Sequence, residues 1–378
     1  MFQDIRTPSL MPCLEESSTL LLTKSQNRHR HFFTPTNPKG VGGRSIMINS
    51  GVTSRQRHRL AWTRERLLRE RAIALGQSID ISTWKNYGSA LNSYLTFVRI
   101  HNLPVEPTPD SLSFFTVYMC HHIKPDSVDT YLSGICQQLE PYYPSVRETR
   151  KSIICKRTLA GCKRARGTPT TRKRALTLHD LQIVIDHYAT STFHDDLLFV
   201  AQLLTGFFAL MRLGELTVSD DTSLFNHRKI TSRTSLSLSE HDYRFFLPSH
   251  KADKFFEGNT VIVQHHLGPI DPLSFFTKYL KSRDHLFPLL PDLWLCADGS
   301  HPSRSFFIWR LRLFFADDIG GQSMHAGGAT SLAENGVPPH LIQAIGRWAS
   351  SAFQIYIRKN AVLLQALLFG RAIHDPLS

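Results

Sequence analysis

The stretch HDDLLFVAQLLTGFFALMRLGEL, residues 194–216, sets the terms for the fold. It reads as one long helical region, apolar on nearly every face. A helix that is hydrophobic all round has no side to give to water, so it belongs at the centre of a domain with other elements packed around it. Its arginine, Arg212, has to be paired in such surroundings, because a lone buried charge is very costly. Glu215 lies at i+3, on the same face. Two readings stay open on this segment alone: a structural ion pair, or an arginine that points into a site and is held there by Glu215.

Around that centre the pattern is helical, with one β insertion. Residues 1–55 are rich in Ser, Thr, Pro, Asn, Gly and basic residues, with little periodicity, and are expected to be disordered. WTRERLLRERAIAL, ending at residue 75, is helical in pattern and strongly charged. In STWKNYGSALNSYLTFV the bulky residues Trp84, Tyr87, Leu91, Tyr94, Leu95 and Val98 recur at helical spacing. This predicts a helix capped by Ser82 or Thr83, its aromatics in a core. A second helix, SLSFFTVYMCHHI, is expected to be capped by Asp110, and a third, SVDTYLSGICQQL, to start after Pro125 and Asp126.

Residues 145–174 crowd Lys and Arg against a single acid, Glu148. One-sign clusters repel unless an anion compensates them, which suits a basic saddle lying along phosphates. Gly-Thr-Pro-Thr-Thr at 167–171 reads as a hinge. Beyond it, helices surround strand-like runs at KITSRTSLSL, DYRFFLP and GNTVIVQ, the last two joined by the turn-like SHKADKFFEG. The expected class is mainly α with a small antiparallel β-sheet (α+β). The expected divisions are a polar, basic segment at 1–55, a helical clamp at 56–165, a basic linker at 166–174 and a larger mixed domain at 175–378.

Charge narrows the partner. Lys and Arg number 44 against 31 Asp and Glu, a net +13, which favours a polyanion and nucleic acid before membrane. The six cysteines show no CxxC spacing, so reduced thiols in an intracellular protein are expected, with no metal site. No apolar run approaches the length of a membrane span, and the opening MFQDIRTPSLMPCLEESS lacks the pattern of a signal peptide.

The remaining chemistry-bearing residues come late in the chain. Lys251 and Lys254 fall on the hairpin tip in LPSHKADKFFEG. In GVPPHLIQAIGRWASSAFQIYIR, Pro338 or Pro339 opens a helix with Leu341, Ile342 and Ile345 as its apolar face. That helix ends at Gly346-Arg347-Trp348, and a new one begins at Ser350 or Ser351 and carries Tyr356. Taken singly, two loop lysines are solvated and Trp348 and Tyr356 are core.

In order, however, TGFFALMRLGEL, a hairpin lysine and GQSMHAGGATSLAENGVPPHLIQAIGRWASSAFQIYIR resemble the tyrosine recombinase (phage-type integrase) family. The likeness is greatest to its divergent eukaryotic, mobile-element-like members. It spans roughly residues 76–370, and its specific part is the carboxy-terminal segment. The resemblance implies a recombinase catalytic fold preceded by a helical core-binding (SAM-like) domain. It also implies breaking and rejoining of double-stranded DNA through a 3′-phosphotyrosyl intermediate, without metal or cofactor. Two arginines would clamp the phosphate oxygens where charge builds up, and a hairpin lysine would protonate the leaving oxygen. Carried over residue by residue, Arg212 takes the first arginine role, Lys251 the lysine, Trp348 the His/Trp role and Tyr356 the nucleophile. Glu215 and Arg347 support them. Lys85, Lys156, Arg157, Lys163, Arg164, Arg166, Arg172, Lys173 and Arg174 are the expected DNA contacts.

One box departs from the family. Where the usual wording is G-H-S-L-R-x-G-G-A-T, this chain reads GQSMHAGGAT, so Gln322 replaces the histidine and His325 the second arginine. Removing one donor to a developing oxyanion costs roughly 3–4 kcal/mol. Arginine offers a permanently charged fork, whereas histidine offers one donor and is mostly neutral near pH 7. A nearby phosphate would recover part of the charge, so any cleavage is expected to improve as pH falls toward about 6. Two functions follow: an impaired DNA strand transferase, or a catalytically inactive architectural or regulatory DNA-binding protein derived from such an enzyme. A dimer or tetramer on DNA is left open. The clusters in KRARGTPTTRKR also suit nuclear import, should the host be eukaryotic.

Overall fold

The computed structural model describes residues 60–169, 172–251, 253 and 255–348. The expected disordered segment, Lys254, Tyr356 and the helix assigned to it lie outside the described residues. The chain divides into two compact units, Met1–Arg69 and Glu70–Ser378. In the first, Arg66 stacks its guanidinium 4.1 Å from the Trp62 ring at the start of α1 (Arg64–Gly76), a helix that buries no residue.

The second unit begins its packing with α2 (Ile81–Ile100), α3 (Pro109–Met119), α4 (Pro125–Leu139), α5 (Val146–Lys151) and α6 (Ile153–Arg166). Asp80, not Ser82 or Thr83, caps α2, its carboxylate accepting from the Ser82 N–H at 2.9 Å. Thr108 caps α3 in a reciprocal capping box with Ser111, so Asp110 falls inside the helix. Pro125 is the first residue of α4, where its missing N–H costs nothing. Ala90, Tyr94, Phe97 and Val98 of α2 meet Leu112 and Phe115 of α3 and Leu132 and Ile135 of α4 in one core. Trp84 departs from the aromatic-core expectation, being 56% exposed.

The rest of the unit has a second core, centred on α8 (His194–Phe208) and flanked by α7 (Leu178–Tyr188). A one-turn α9 (Leu213–Leu216) follows α8. Strands β1 (Ser237–Leu238), β2 (Asp242–Leu247) and β3 (Asn259–Gln264) form an antiparallel sheet in that order. Of KITSRTSLSL, only its last part joins the sheet; Ser232 makes an isolated bridge to Asp292, and a 3₁₀ turn at Arg233–Ser235 takes up the middle. In β2, Tyr243, Phe245 and Leu247 alternate inward and face Val261 and Val263 of β3. Helices α10 (Pro272–Leu286), α11 (Arg304–Arg312), α12 (Ser323–Glu334) and α13 (Pro339–Ile345) complete the described chain. The protein is mainly helical with a small three-stranded antiparallel sheet.

Two contacts fasten the sheet to α8 and α10. Tyr243 stacks on Phe276 with centroids 4.0 Å apart. Its hydroxyl lies 2.7 Å from that of Thr205, which donates to the Ala201 carbonyl, so Tyr243 is the donor between them. Helix α12 is seated against the end of α8 and the segment before α7 by glycines. A Cβ on Gly328 would fall 2.0 Å from the Phe207 carbonyl oxygen, and one on Gly327 2.2 Å from that of Leu176.

The apolar stretch at 194–216 is not one helix. It stops at Phe208, turns through Leu210 at φ +50°, and restarts at Leu213. The Met211 N–H reaches back to the Gly206 carbonyl at 2.9 Å, closing a Schellman-type turn whose left-handed position holds a leucine instead of glycine. The turn leaves the Leu210 carbonyl outside the α8 ladder, and the side chains of His325 and Arg347 collect around it.

Candidate functional site

Arg212 stands in extended conformation as the residue before α9, not within a helix. Glu215 accepts from the Arg212 backbone N–H through Oε2 at 3.1 Å and from its guanidinium through Oε1 at 3.1 Å. The Arg212 side chain keeps a quarter of its surface exposed, while Glu215 is buried. The pair is an ion pair that leaves the Arg212 guanidinium partly open to solvent.

Arg347 comes to the same carboxylate from the other end of the chain. Its Nη2 lies 3.2 Å from Glu215 Oε2 and 3.2 Å from the Leu210 carbonyl oxygen. One carboxylate is thus bracketed by two guanidiniums, one on each oxygen. Burial pulls the Arg347 guanidinium below its ordinary pKa and Arg212 adds to that, while Glu215 pulls it back.

His325, on α12, is buried in the same cluster. Its Nδ1 lies 2.6 Å from the Leu210 carbonyl, a contact only an N–H can make, which assigns the proton to Nδ1. Burial first, and then the charge of Arg212, push the imidazole down to about 4, against the opposing pull of the Leu210 carbonyl. In the free protein the imidazole is accordingly neutral at pH 6. The expected gain of charge near that pH is displaced to about pH 4 unless an anion arrives. Trp348 lies against the ring, centroids 4.3 Å apart. The same indole covers Gly346, where a Cβ would fall 1.7 Å from its ring.

Gln322 and Lys251 make none of the hydrogen bonds of this cluster. Gln322 immediately precedes α12 and is exposed, sharing a cavity of about 330 Å³ with Lys173, Asp220, Arg304 and Arg312. The two altered positions of the box therefore meet different surroundings, one solvent and one core. Lys251 is exposed on the turn between β2 and β3. Asp253 fixes that turn by accepting from the N–H groups of Phe255, Glu257 and Gly258. Tyr356, the expected nucleophile, falls outside the described residues.

The basic residues divide into committed and open. Lys85 pairs with Asp221 at 2.5 Å and also donates to Ser223. Lys163 is held between Asp126 and Asp129 at 3.1 and 2.9 Å. Arg174 forks onto Asp180 at 2.6 and 3.1 Å and reaches Asp318, while Lys173 donates to the Asp317 carbonyl. Lys156, Arg157, Arg164, Arg166 and Arg172 are exposed and make no ion pair with the described residues. The residues at 145–166 form helices, so the open charges sit largely on α6.

Sequence reasoning did not anticipate the Leu210 carbonyl or the sharing of Glu215. The available signal was a second arginine, Arg347, beside a tryptophan in an otherwise apolar run.

No family model and no curated protein matches the sequence. Solved structures do. The XerH site-specific recombinase bound to palindromic difH substrate, in a post-cleavage complex, superposes with a TM-score of 0.54 at 15% identity, over 75% of this chain and 78% of that one. A lambda integrase dimer bound to a COC' core site superposes with a TM-score of 0.49 at 14% identity, over 78% and 94%. The helical core, the small sheet and the likeness to XerH together establish that this chain has a tyrosine recombinase-like fold.

Proposed function

We propose that the protein binds duplex DNA and that the Arg212 cluster receives one backbone phosphate. The carrying observation is the charge of the cluster: two guanidiniums share a single buried carboxylate beside a neutral imidazole. Like charges held together out of water call for a counter-anion, and a phosphate at the partly exposed Arg212 supplies one. The open cations on α6 fit further phosphates along the duplex. A neighbour of like fold, XerH, is a site-specific recombinase bound to its palindromic difH substrate.

In this reading the helical clamp covers residues 56–165 and the catalytic-like domain 175–378, joined by the basic linker. Lys251 serves the leaving oxygen, Trp348 packs the phosphate and Tyr356 attacks it. Strand transfer is impaired because His325 spends its N–H on the Leu210 carbonyl and carries no charge at neutral pH. That same observation favours the second reading, an inactive DNA-binding protein of architectural or regulatory role. Assembly as a dimer or tetramer on DNA belongs to the proposal, as does nuclear import through the basic clusters. Among the described residues no helix is long and apolar enough to cross a membrane.

Two assays test it. Duplex binding followed by fluorescence anisotropy is expected to weaken steeply with salt; binding that ignores salt refutes the clamp. A nicked duplex that traps covalent adduct separates the two readings: adduct lost in Tyr356→Phe supports the enzyme, and no adduct from a protein that binds the duplex supports the inactive form.

A further inference from the structure

We infer that Arg347 supplies the second phosphate-binding guanidinium, in place of the arginine that position 325 lacks. The inference rests on the proposed reading of the cluster as a phosphate site. His325 and Arg347 donate to one and the same acceptor, the Leu210 carbonyl, at 2.6 and 3.2 Å. The two side chains therefore occupy adjoining places, one from α12 and one from the end of α13. With histidine neutral there, Arg347 restores the charge of a two-arginine site.

Two further features of Arg347 point the same way. All its hydrogen bonds run through Nη2, and its buried Nε has no partner among the described residues, although the side chain is only 9% exposed. A purely structural guanidinium at that depth is expected to satisfy its donors. An approaching phosphate oxygen gives Nε an acceptor, with Arg212 beside it.

The backbone is the second feature. After α13 the Trp348 N–H reaches the Gln343 carbonyl at 3.2 Å and the Arg347 N–H that of Ala344 at 3.1 Å. This is a Schellman turn whose left-handed residue, at φ +52°, is Arg347 and not the adjacent Gly346. Arginine is disfavoured in that conformation, and such outliers persist where surrounding structure and function hold them. Gly346 cannot be exchanged into another residue to relieve the turn, because the Trp348 ring covers it.

The test uses the full-length protein and a mixed-sequence duplex, with affinity and its salt slope measured by anisotropy. Arg347→Ala is expected to weaken binding about tenfold or more, as for loss of a charge-assisted bond, and to lower the slope by about 0.9. His325→Arg in that background is expected to recover most of both, while His325→Arg alone adds little. Arg347→Lys keeps a cation against Glu215, guards against a folding defect, and is expected to fall between. Slope is the deciding readout, because it counts phosphate contacts and a merely structural arginine would leave it unchanged. If the wild-type protein binds but Arg347→Ala and Arg347→Lys, melting normally, keep its affinity and slope, Arg347 does not touch phosphate. Failure of His325→Arg to restore the slope would overturn the inference equally. Wild-type protein that shows no salt-dependent binding refutes the phosphate-site reading itself.

Discussion

Replacing His325 by glutamine isolates the energetic consequence of burying an imidazole beside two arginines. In the wild-type protein the folded imidazole titrates at about 4, against 6.5 for an unburied one. Between those values the unfolded chain binds the proton and the folded chain does not. Stability from this group is therefore complete above pH 6.5 and is lost as pH falls toward 4. From pH 7 to pH 5 the linkage relation makes that loss about 2 kcal/mol. Glutamine can still donate to the Leu210 carbonyl, 2.6 Å from the present Nδ1, but it does not titrate. Urea denaturation at pH 7, 6 and 5 gives the comparison, expressed as the difference between the two proteins at each pH so that titrations common to both cancel. The wild-type protein is expected to lose about 2 kcal/mol more than His325→Gln between pH 7 and pH 5. Parallel curves would mean that the imidazole titrates normally, and that burial and Arg212 do not hold it neutral.

The same cluster and its supports give three further expectations. Glu215→Gln leaves Arg347 and Arg212 facing each other without a counter-charge, and is expected to cost about 3 kcal/mol in urea denaturation, the usual scale for removing one member of a buried pair. Added inorganic phosphate should recover part of that loss, and indifference to phosphate would argue against an anion site. Gly328→Ala drives a methyl group to 2.0 Å from the Phe207 carbonyl and should destabilise by about 3 kcal/mol or abolish folding, as read by circular dichroism. Joint replacement of Lys163, Arg164 and Arg166 by alanine should flatten the salt slope of duplex binding by about 2, and not by the nearly 3 that their number suggests. Lys163 is already neutralised by Asp126 and Asp129, so Lys163→Ala alone should leave the slope almost unchanged.

Much of the helical and strand pattern is legible in the sequence because it depends on local periodicity. The alternation in DYRFFLP, for example, reports the inward faces of Tyr243, Phe245 and Leu247 directly. What stays hidden depends on contacts distant in sequence. Nothing between Phe208 and Leu213 breaks a helix by its own propensity, since no Gly or Pro intervenes. The break at Leu210 accompanies the docking of α12 through Gly327 and Gly328, more than a hundred residues later. The sharing of Glu215 by Arg212 and Arg347 is hidden for the same reason, as their partnership spans positions 215 and 347. The caps fall a short step earlier than expected. Asp80 and Thr108 precede the expected residues, and several Ser, Thr and Asp side chains stand close enough in sequence to compete for the role. The chemical exchange at 325 is visible at once, but its depth is not: sequence reveals a histidine where arginine is usual, and only packing reveals that its N–H is already spent.

The most direct test of the central claim is a structure of the full-length protein with a duplex it binds. One backbone phosphate is expected within hydrogen-bonding distance, about 3 Å, of both Arg212 and Arg347, with α6 along the neighbouring phosphates. A duplex seated elsewhere, with the Arg212–Glu215–Arg347 cluster closed and empty of phosphate, would contradict it.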